Sequence, residues 1–359
     1  MSENHVVSFR DVDIVFGDNP KSALPLIDKG KTRTEIQEAT SQVLGVAGCS
    51  LDVSQGEIVV LMGLSGSGKS TLLRAVNGLN PVIRGETLVA MDDDLKTFAN
   101  PETCTNKTLR ELRQKRVAMV FQQFGLLPWR TVRENVGFGL EISGITRDQR
   151  NKAIDEQLNL VGLSDWADRR VQELSGGMQQ RVGLARAFAT EAPILLMDEP
   201  FSALDPLIRD KLQDDLLALQ SHLKRTIIFV SHDLDEALKI GNRIAIMEGG
   251  RIVQFGTAQE IIVNPASDYV AEFVAHMNPL SVLRAGEVMV SRKDDKPVNP
   301  MPIEDVEELG QTALATLETP LKDVMRAQIA TGNTVFVGDG DKVIGRIDRD
   351  DVIQALIDR

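Results

Sequence analysis

The fold of this chain is decided by the stretch Gly63-Leu64-Ser65-Gly66-Ser67-Gly68-Lys69-Ser70-Thr71. It has the form G-x-x-x-x-G-K-S, in which glycines leave room for backbone N–H groups to surround an anion. The apolar run 58–62 before it predicts a strand, and residues 70–75 after it predict the start of a helix, whose N-terminus favours negative charge. In this context the stretch predicts a nucleotide-binding loop, with Lys69 reaching the β- and γ-phosphates and the Ser70 hydroxyl binding Mg²⁺.

Composition excludes several classes of protein. The chain has 359 residues, 42% of them hydrophobic, and a formal net charge of −12, so a large core is possible in one large domain or two of ordinary size. The acidic balance argues against a nucleic-acid partner. Two cysteines, Cys49 and Cys104, indicate a reducing compartment without a disulfide framework. Neither a signal peptide nor an apolar run of about 18 residues is present, so we expect a soluble or peripheral protein.

Short apolar runs bounded by polar or turn residues predict buried strands. They lie at 58–62, 116–121, 194–197, 226–230 and 243–247, with more loosely alternating strands at 6–16 and 50–53. Helical patterns such as 209–223 separate several of them, which predicts a mainly parallel sheet. Residues 128–175 are rich in charge and in helix formers, and they predict a helical insertion.

The C-terminal part has a different pattern. Residues 289–308 contain lysine, aspartate and three prolines, which is typical of a linker. Strand-like and helix-like segments follow. We therefore predict a nucleotide-binding domain over 1–280, a linker over 281–310 and a small α+β tail over 311–359.

Two acids close the apolar run at 194–197. In an open sheet a carboxylate at the C-terminal end of a strand lies at the ligand crevice. Asp198 is expected to hold Mg²⁺ through water, and Glu199 to orient or deprotonate the attacking water. The alternative for this pair is a solvated acidic loop.

A third motif carries a family resemblance. The stretch Leu174-Ser175-Gly176-Gly177-Met178-Gln179-Gln180-Arg181 closely resembles the signature of the ATP-binding subunits of ABC transporters, with Met178 where the family often has Gln. A serine and two glycines opening a helix form a second anion cradle. The resemblance implies that Ser175, Gly176, Gly177 and Gln179 cap the γ-phosphate of ATP held by the other subunit of a homodimer. A plain helix cap is the alternative.

Further motifs of that family occur in order. Gln122, in Val120-Phe121-Gln122, matches the Q-loop residue that contacts Mg²⁺ and water. Asp205 closes the D-loop Ser202-Ala203-Leu204-Asp205 at the subunit interface. His232, in Val230-Ser231-His232-Asp233, matches the switch histidine that can contact the γ-phosphate. Phe16 is our choice for the aromatic that stacks on adenine, against a core strand residue.

The resemblance covers about residues 6–275 and implies an ABC ATPase fold: a P-loop α/β domain with a mainly parallel core sheet, an antiparallel β subdomain and the helical insertion. It narrows to importers of quaternary ammonium solutes, because the segments 23–36 and 121–136 are similar to those of glycine betaine and choline importers. Residues 46–48, 127–130 and 274–280 are together most similar to choline-specific importers.

The activity that the resemblance implies is ATP hydrolysis, with ATP and Mg²⁺, at the cytoplasmic face of the membrane. This hydrolysis powers solute import. The implied partners are transmembrane permease subunits and, indirectly, a periplasmic or extracellular solute-binding protein.

Two regions leave alternatives open. Residues 128–130, Pro-Trp-Arg, could line a groove for a cytoplasmic permease helix, or Trp129 could be a packing residue. The tail resembles one closing half of a regulatory CBS module, or it is a degenerate folded tail.

A soluble ABC-superfamily ATPase acting on DNA or the ribosome is the competing function, although such proteins usually have two nucleotide domains, a long coiled coil or a basic arm. A non-catalytic binding module is a third possibility, which the set of Lys69, Asp198, Glu199 and His232 disfavours.

Overall fold

The protein is described here from a computed structural model, covering residues 4–122, 125–275, 283–291, 300–306, 310–339 and 342–357. The chain divides into two compact units, Met1–Thr257 and Ala258–Arg359. Within the described residues, no helix has both the length and the apolar character that crossing a bilayer requires.

The larger unit contains ten strands and ten α-helices among its described residues. The strands are β1 His5–Phe16, β2 Val43–Ser54, β3 Ile58–Met62, β4 Arg84–Ala90, β5 Phe98–Ala99, β6 Val117–Val120, β7 Ile194–Asp198, β8 Thr226–Val230, β9 Arg243–Glu248 and β10 Arg251–Gly256. The helices are α1 Leu24–Asp28, α2 Arg33–Thr40, α3 Lys69–Leu73, α4 Asn106–Glu111, α5 Val132–Val136, α6 Phe138–Ile142, α7 Arg147–Leu160, α8 Gly176–Ala189, α9 Pro206–Leu223 and α10 Leu234–Ile240.

The central sheet has the strand order β10-β9-β3-β8-β7-β6. Neighbouring strands from β9 to β6 are parallel, and β10 joins β9 as an antiparallel hairpin. Strands β3, β7 and β8 are buried along their whole length, as short uninterrupted apolar runs predict. The predicted mainly parallel sheet is therefore confirmed, and Gly249-Gly250 form the turn of the β9–β10 hairpin.

Parallel pairing places the carboxyl ends of β3, β6, β7 and β8 at one edge of this sheet. The glycine loop follows β3, and Gln122 follows β6 by two residues. Asp198 is the last residue of β7, and His232 follows β8. Four distant stretches of sequence therefore meet because the sheet brings their strand ends together.

A second, antiparallel sheet has the order β2-β1-β4-β5 and shares a core with the central sheet. Phe9 of β1, Leu61 of β3 and Leu72 of α3 are almost fully buried in this common core. Burying each such side chain contributes about 1.5–3 kcal/mol relative to leaving it exposed. The helix that starts at the glycine loop is thus held by apolar packing.

The segment between β1 and β2 folds into two short helices, α1 and α2. Ile36 of α2 is fully buried against a cluster that includes Val15, Ile27 and Leu44. Thr32 caps α2, and its side chain and that of Glu35 form a reciprocal capping box. This insertion is therefore a packed part of the larger unit.

Residues 128–175, where the sequence predicts a helical insertion, contain α5, α6 and α7 with two 3₁₀ turns. Asn135 is fully buried here, and its side-chain amide accepts from the Leu127 N–H and donates to the Leu127 carbonyl at 2.8 and 3.1 Å. The loop before α5 is thereby fixed by one side chain.

The smaller unit is an α+β fold. Its elements are α11 Ala258–Val263, α12 Asp268–Val274, α13 Ala285–Val288, β11 Val290–Ser291, β12 Met301–Pro302, β13 Ala313–Thr316, α14 Leu321–Thr331, β14 Val335–Asp339, β15 Lys342–Ile347 and α15 Arg349–Ile357, with the sheet order β11-β15-β14-β13-β12.

The structure differs from the predicted linker over 281–310. The described parts of this range contain α13 and the short strands β11 and β12. Leu283, Ala285 and Val288 pack into the core of the smaller unit, and the division between the units falls after Thr257 rather than after 280. Prolines and charges dominate this range of the sequence, and its few apolar residues pack against elements that follow later in the chain, among them β13 and α15.

Candidate active site

The glycine loop is shaped by two glycines in the left-handed region. Gly63 has φ +139° and Gly68 has φ +105°. A Cβ at Gly63 would lie 2.1 Å from the carbonyl oxygen of Met247, and one at Gly68 would lie 2.6 Å from that of Gly45. No other residue type fits these two positions, because both the backbone angles and the space exclude a side chain.

Lys69 points back over this loop. Its Nζ donates to the carbonyl oxygens of Gly63 at 2.8 Å and Leu64 at 3.0 Å. Burial lowers the pKa of Lys69, and the carboxylates of Glu199 and Asp198 act in the opposite direction. The ammonium is thus desolvated and close to a cavity of about 310 Å³, which it lines together with Phe16, Gln122 and Glu199.

The loop fits a nucleotide phosphate chain. The Ser67 hydroxyl is buried and has no hydrogen-bond partner among the described residues. The partial charges of the α3 N-terminus and the Lys69 ammonium converge on the same place, as an anion requires. The residues present therefore suit the phosphates of ATP.

Asp198 is fully buried at the end of β7. Its Oδ1 accepts from the Ser70 hydroxyl at 2.6 Å, and its Oδ2 accepts from Arg74 Nη2 at 2.8 Å. No group of three His, Cys, Asp or Glu side chains among the described residues forms a metal cage. The Ser70 hydroxyl and the Asp198 carboxylate suit Mg²⁺, which usually takes one or two protein oxygens together with phosphates and water.

Glu199 lies where three loops meet. Its Oε2 accepts from Gln122 Nε2 at 3.4 Å and lies 3.3 Å from Nδ1 of His232. Its backbone has φ +48°, which is uncommon for a residue with a side chain. Strain of this kind persists only where surrounding contacts hold it, and such residues cluster at functional sites.

The loop that carries His232 is held by a buried polar network. Glu236 accepts from the Ser231 hydroxyl at 2.5 Å and from Gln213 Nε2 at 3.0 Å. Burial raises the pKa of Glu236. Arg209 pairs with Asp233 at 3.1 Å, so helix α9, which carries both Arg209 and Gln213, holds this loop by two contacts.

The signature residues lie at the start of α8. Ser175 is its N-cap and accepts from the Met178 N–H at 3.4 Å, while Gln179 Nε2 donates to the Leu174 carbonyl at 3.1 Å. None of Ser175, Gly176, Gly177 and Gln179 lines the cavity formed by the glycine loop of the same chain. Asp205 caps α9 by accepting from the Ile208 N–H at 3.0 Å.

Phe16 is 37% exposed at the end of β1 and lines the same cavity as the glycine loop. The structure thus brings together Phe16, residues 65–71, Gln122 and Glu199, with Asp198 and His232 alongside. Outside this group it leaves the signature residues Ser175, Gly176, Gly177 and Gln179, together with Asp205.

Three residues near the site were missed from sequence. Arg74 reaches Asp198, and Arg33 lines the cavity from α2. Gln180, rather than its neighbour Gln179, is buried against the loop after β7. The spacing of Gln180, Leu184 and Phe188 along one face of α8 is a signal that could have predicted its burial.

Comparison with known proteins finds similarity to ABC transporter ATP-binding proteins. A family profile described as ABC transporter matches residues 46–202. The glycine betaine transport ATP-binding protein OpuAA of Bacillus subtilis is 47% identical over 283 residues, which cover 79% of this chain and 66% of that protein. The chain therefore spans slightly less than two thirds of the length of this relative.

A second relative matches over nearly the whole chain. The trimethylamine N-oxide transport system ATP-binding protein TmoW of Pelagibacter ubique is 39% identical over 356 residues, covering 99% of this chain and 98% of that protein. Among solved structures, a post-hydrolysis dimer of the ATP-binding cassette MJ0796 bound to ADP and Pi has a TM-score of 0.59 at 28% identity, covering 70% of this chain and 98% of that one. The names of these proteins do not include choline.

Proposed function

This chain belongs to the family of ABC transporter ATP-binding proteins, and we propose that it is the ATP-hydrolysing subunit of an importer for a small solute with a methylated nitrogen. The observation that carries the ATPase part is the meeting of Gln122, Glu199 and His232 beside the glycine loop. The solute class follows from the relatives, which are named for glycine betaine and trimethylamine N-oxide transport. Choline, which the sequence resemblance favours, belongs to the same chemical class.

The chemistry proposed is transfer of the γ-phosphoryl group to water. Glu199 orients the water and accepts its proton, which is the role of a general base. Gln122 and His232 contact the same carboxylate oxygen, Oε2, and so hold the base in one place. Catalysis of this kind rests mainly on positioning and electrostatic stabilisation.

The charge of the phosphates is met by the glycine loop and Lys69. Mg²⁺, when bound, neutralises phosphate charge, and Ser70, Asp198 and Gln122 would hold it directly or through water. Lys69 must exchange its two carbonyl partners, Gly63 and Leu64, for phosphate oxygens. That exchange replaces neutral acceptors with charged ones, which form stronger hydrogen bonds.

We propose a homodimer in which each subunit completes the other's site. Ser175, Gly176, Gly177 and Gln179 stand apart from the glycine loop of their own chain, so their anion cradle is available to a second copy. The related cassette MJ0796 forms a dimer. ATP then holds the interface together, and hydrolysis loosens it because the products separate.

The proposed permease contact is a groove of about 390 Å³ in the larger unit. Its wall includes Leu79, Met119, Phe121 and Phe138, and it is more apolar than the nucleotide cavity. Trp129, in the loop between the Q-loop and α5, is 68% exposed. An exposed tryptophan suits a protein interface, and a cytoplasmic helix of a permease is the proposed occupant. The subunit would then lie peripherally at the cytoplasmic face of the membrane.

The test is reconstitution with the permease and solute-binding protein expected to be encoded with this chain. ATP turnover in vesicles is measured with glycine betaine, trimethylamine N-oxide, choline or carnitine, and with methionine as the control solute. Stimulation by one or more methylated-nitrogen solutes, but not by methionine, is expected. Turnover that responds to DNA or ribosomes and to none of these solutes would instead identify a soluble ABC-superfamily ATPase.

A further inference from the structure

The insertion between β1 and β2 places a cation in the nucleotide cavity. Arg33 is the first residue of α2, and its side chain lines the cavity together with Phe16, Gly66 and Lys69. The family motifs of the glycine loop do not account for this residue. We propose that Arg33 is an ATP-binding residue whose guanidinium contacts the phosphate chain.

The guanidinium of Arg33 has only neutral backbone carbonyls as its hydrogen-bond acceptors among the described residues, and these are weaker partners for a charged group than an anion. Its Nη1 donates to the carbonyl oxygen of Gly66, and its Nη2 donates to that of Gly45. Its Nε is buried and has no hydrogen-bond partner among the described residues. Burial lowers the pKa of Arg33, and the other influence on it comes from Cys49 rather than from an acid. Among the described residues no carboxylate forms an ion pair with Arg33, so its positive charge is partly buried without a counter-charge, a situation that an anionic ligand would relieve.

Arg33 is also held firmly in place. Hydrogen bonds from Lys31 and Thr32 hold the pKa of Glu35 at about 2, so this carboxylate is charged and closes the capping box at neutral pH. Ile36, one turn along, is fully buried. The start of α2 is thus anchored from both sides, and its first side chain reaches the loop with little freedom to lose on binding.

The surroundings leave the guanidinium next to the loop backbone. A Cβ at Gly68 would lie 3.2 Å from Arg33 Nη2, and one at Gly250 would lie 3.1 Å from it. Both neighbours are glycines, so the guanidinium approaches the main chain closely. A guanidinium presents two parallel donors, which is the geometry that phosphate oxygens accept.

The inference is tested by binding of MgATP and MgADP to the isolated full-length chain, measured by titration calorimetry. Arg33→Met is expected to weaken both affinities by about 10- to 100-fold, the scale of losing a charge-assisted hydrogen bond. Arg33→Lys is expected to recover part of the loss, because charge returns without the fork. The control is Arg10→Met, since Arg10 is an exposed residue of β1 paired with Glu86.

A second readout separates binding from a purely structural role. The affinity of the wild type is expected to fall with added salt more steeply than that of Arg33→Met, because one charge contact is missing in the variant. Unchanged affinity and unchanged salt dependence in Arg33→Met would overturn the proposal. The proposal rests on the nucleotide site proposed above, and Lys69→Ala distinguishes the two failures. If Lys69→Ala loses nucleotide binding while Arg33→Met does not, the proposed nucleotide site is supported and the proposed role of Arg33 is wrong.

Discussion

Gln180 bonds the backbone at Glu199 and, further along the same turn, at Ala203. Its Nε2 donates to the Glu199 carbonyl at 3.2 Å, and its Oε1 accepts from the Ala203 N–H at 3.2 Å. Gln180 is almost fully buried, whereas the backbone of Glu199 is in the left-handed region. One side chain on the signature helix thus fixes the strained turn that carries the proposed base.

Gln180→Leu is expected to lower kcat for ATP about tenfold with little change in KM. The Ala203 N–H would lose its acceptor, whereas the Glu199 carbonyl would keep the Ser202 hydroxyl at 3.1 Å. An N–H left without a partner costs about 1–3 kcal/mol, and a shift of the turn that relieves this cost would also move Glu199. Steady-state kinetics measure the effect. Gln149→Leu, at an exposed position of α7, serves as the matched control and should retain wild-type kinetics. If kcat is unaltered in Gln180→Leu, the turn that carries Glu199 keeps its conformation without the Gln180 side chain.

Glu199→Gln is expected to keep ATP binding and to lower turnover by about 10²–10⁴-fold, the scale of losing a general base. With saturating MgATP this variant should accumulate as a dimer, because the nucleotide persists at the interface. Phosphate release and light scattering measure the two effects.

The matched control for that experiment is Glu86→Gln, because Glu86 is an exposed acid on β4. Turnover like that of the wild type in Glu199→Gln would remove the proposed base from its role. A strictly monomeric Glu199→Gln, alone and with the permease, would contradict the shared site.

Trp129→Ala is expected to leave ATP turnover of the isolated chain unchanged and to reduce co-purification with the permease at least fivefold, a loss of about 1 kcal/mol or more. The reason is that Trp129 is exposed outside the nucleotide cavity. Trp166→Ala, at the other tryptophan of the chain, is the control, since Trp166 is also partly exposed. Equal losses in both variants would argue against a specific contact at Trp129.

Glu236 is expected to make stability depend on pH. Burial raises its pKa in the folded protein above the ordinary value of 4.5. Folding therefore favours the protonated acid, and its contribution is present below pH 4.5 and is lost as pH rises through the raised pKa. Glu236→Gln keeps a neutral side chain, so its free energy of unfolding relative to the wild type should increase as pH rises above 4.5.

Urea unfolding of both proteins between pH 4.5 and pH 8 measures this difference. Stability curves that stay parallel over the whole range would show that Glu236 is solvated or fully compensated by Ser231 and Gln213.

The positions of several proposed site residues could be predicted from the sequence, because these residues follow short apolar runs. Lys69, Asp198 and His232 each lie at or just after a buried parallel strand, and the sheet brings such strand ends to one edge. The apolar runs therefore predicted the strands, and the parallel sheet predicted that the residues after them lie at one edge. The ABC resemblance added the roles of Gln122 and His232, and it assigned the anion cradle at the start of α8 to a partner subunit.

The residues that were missed act through long-range contacts. Arg33 reaches the glycine loop only because Ile36 anchors α2 in a separate apolar cluster. Arg74 reaches Asp198 across the sheet edge. The apolar residues of 283–288 join the smaller unit through strands that follow them in sequence. In each case the partner lies far along the chain, so composition and periodicity near the residue carry little signal.

The contact between Gly63 and the Met247 carbonyl has a consequence for protein engineering. Met247, in a strand far along the chain, lies so close that a Cβ at Gly63 would be 2.1 Å from its carbonyl oxygen, well inside van der Waals contact. A peptide or chimaera carrying residues 58–75 alone would lack that wall and would not retain the loop's shape. Grafting this motif onto another scaffold therefore requires a neighbouring parallel strand of matching length, rather than the nine-residue stretch by itself.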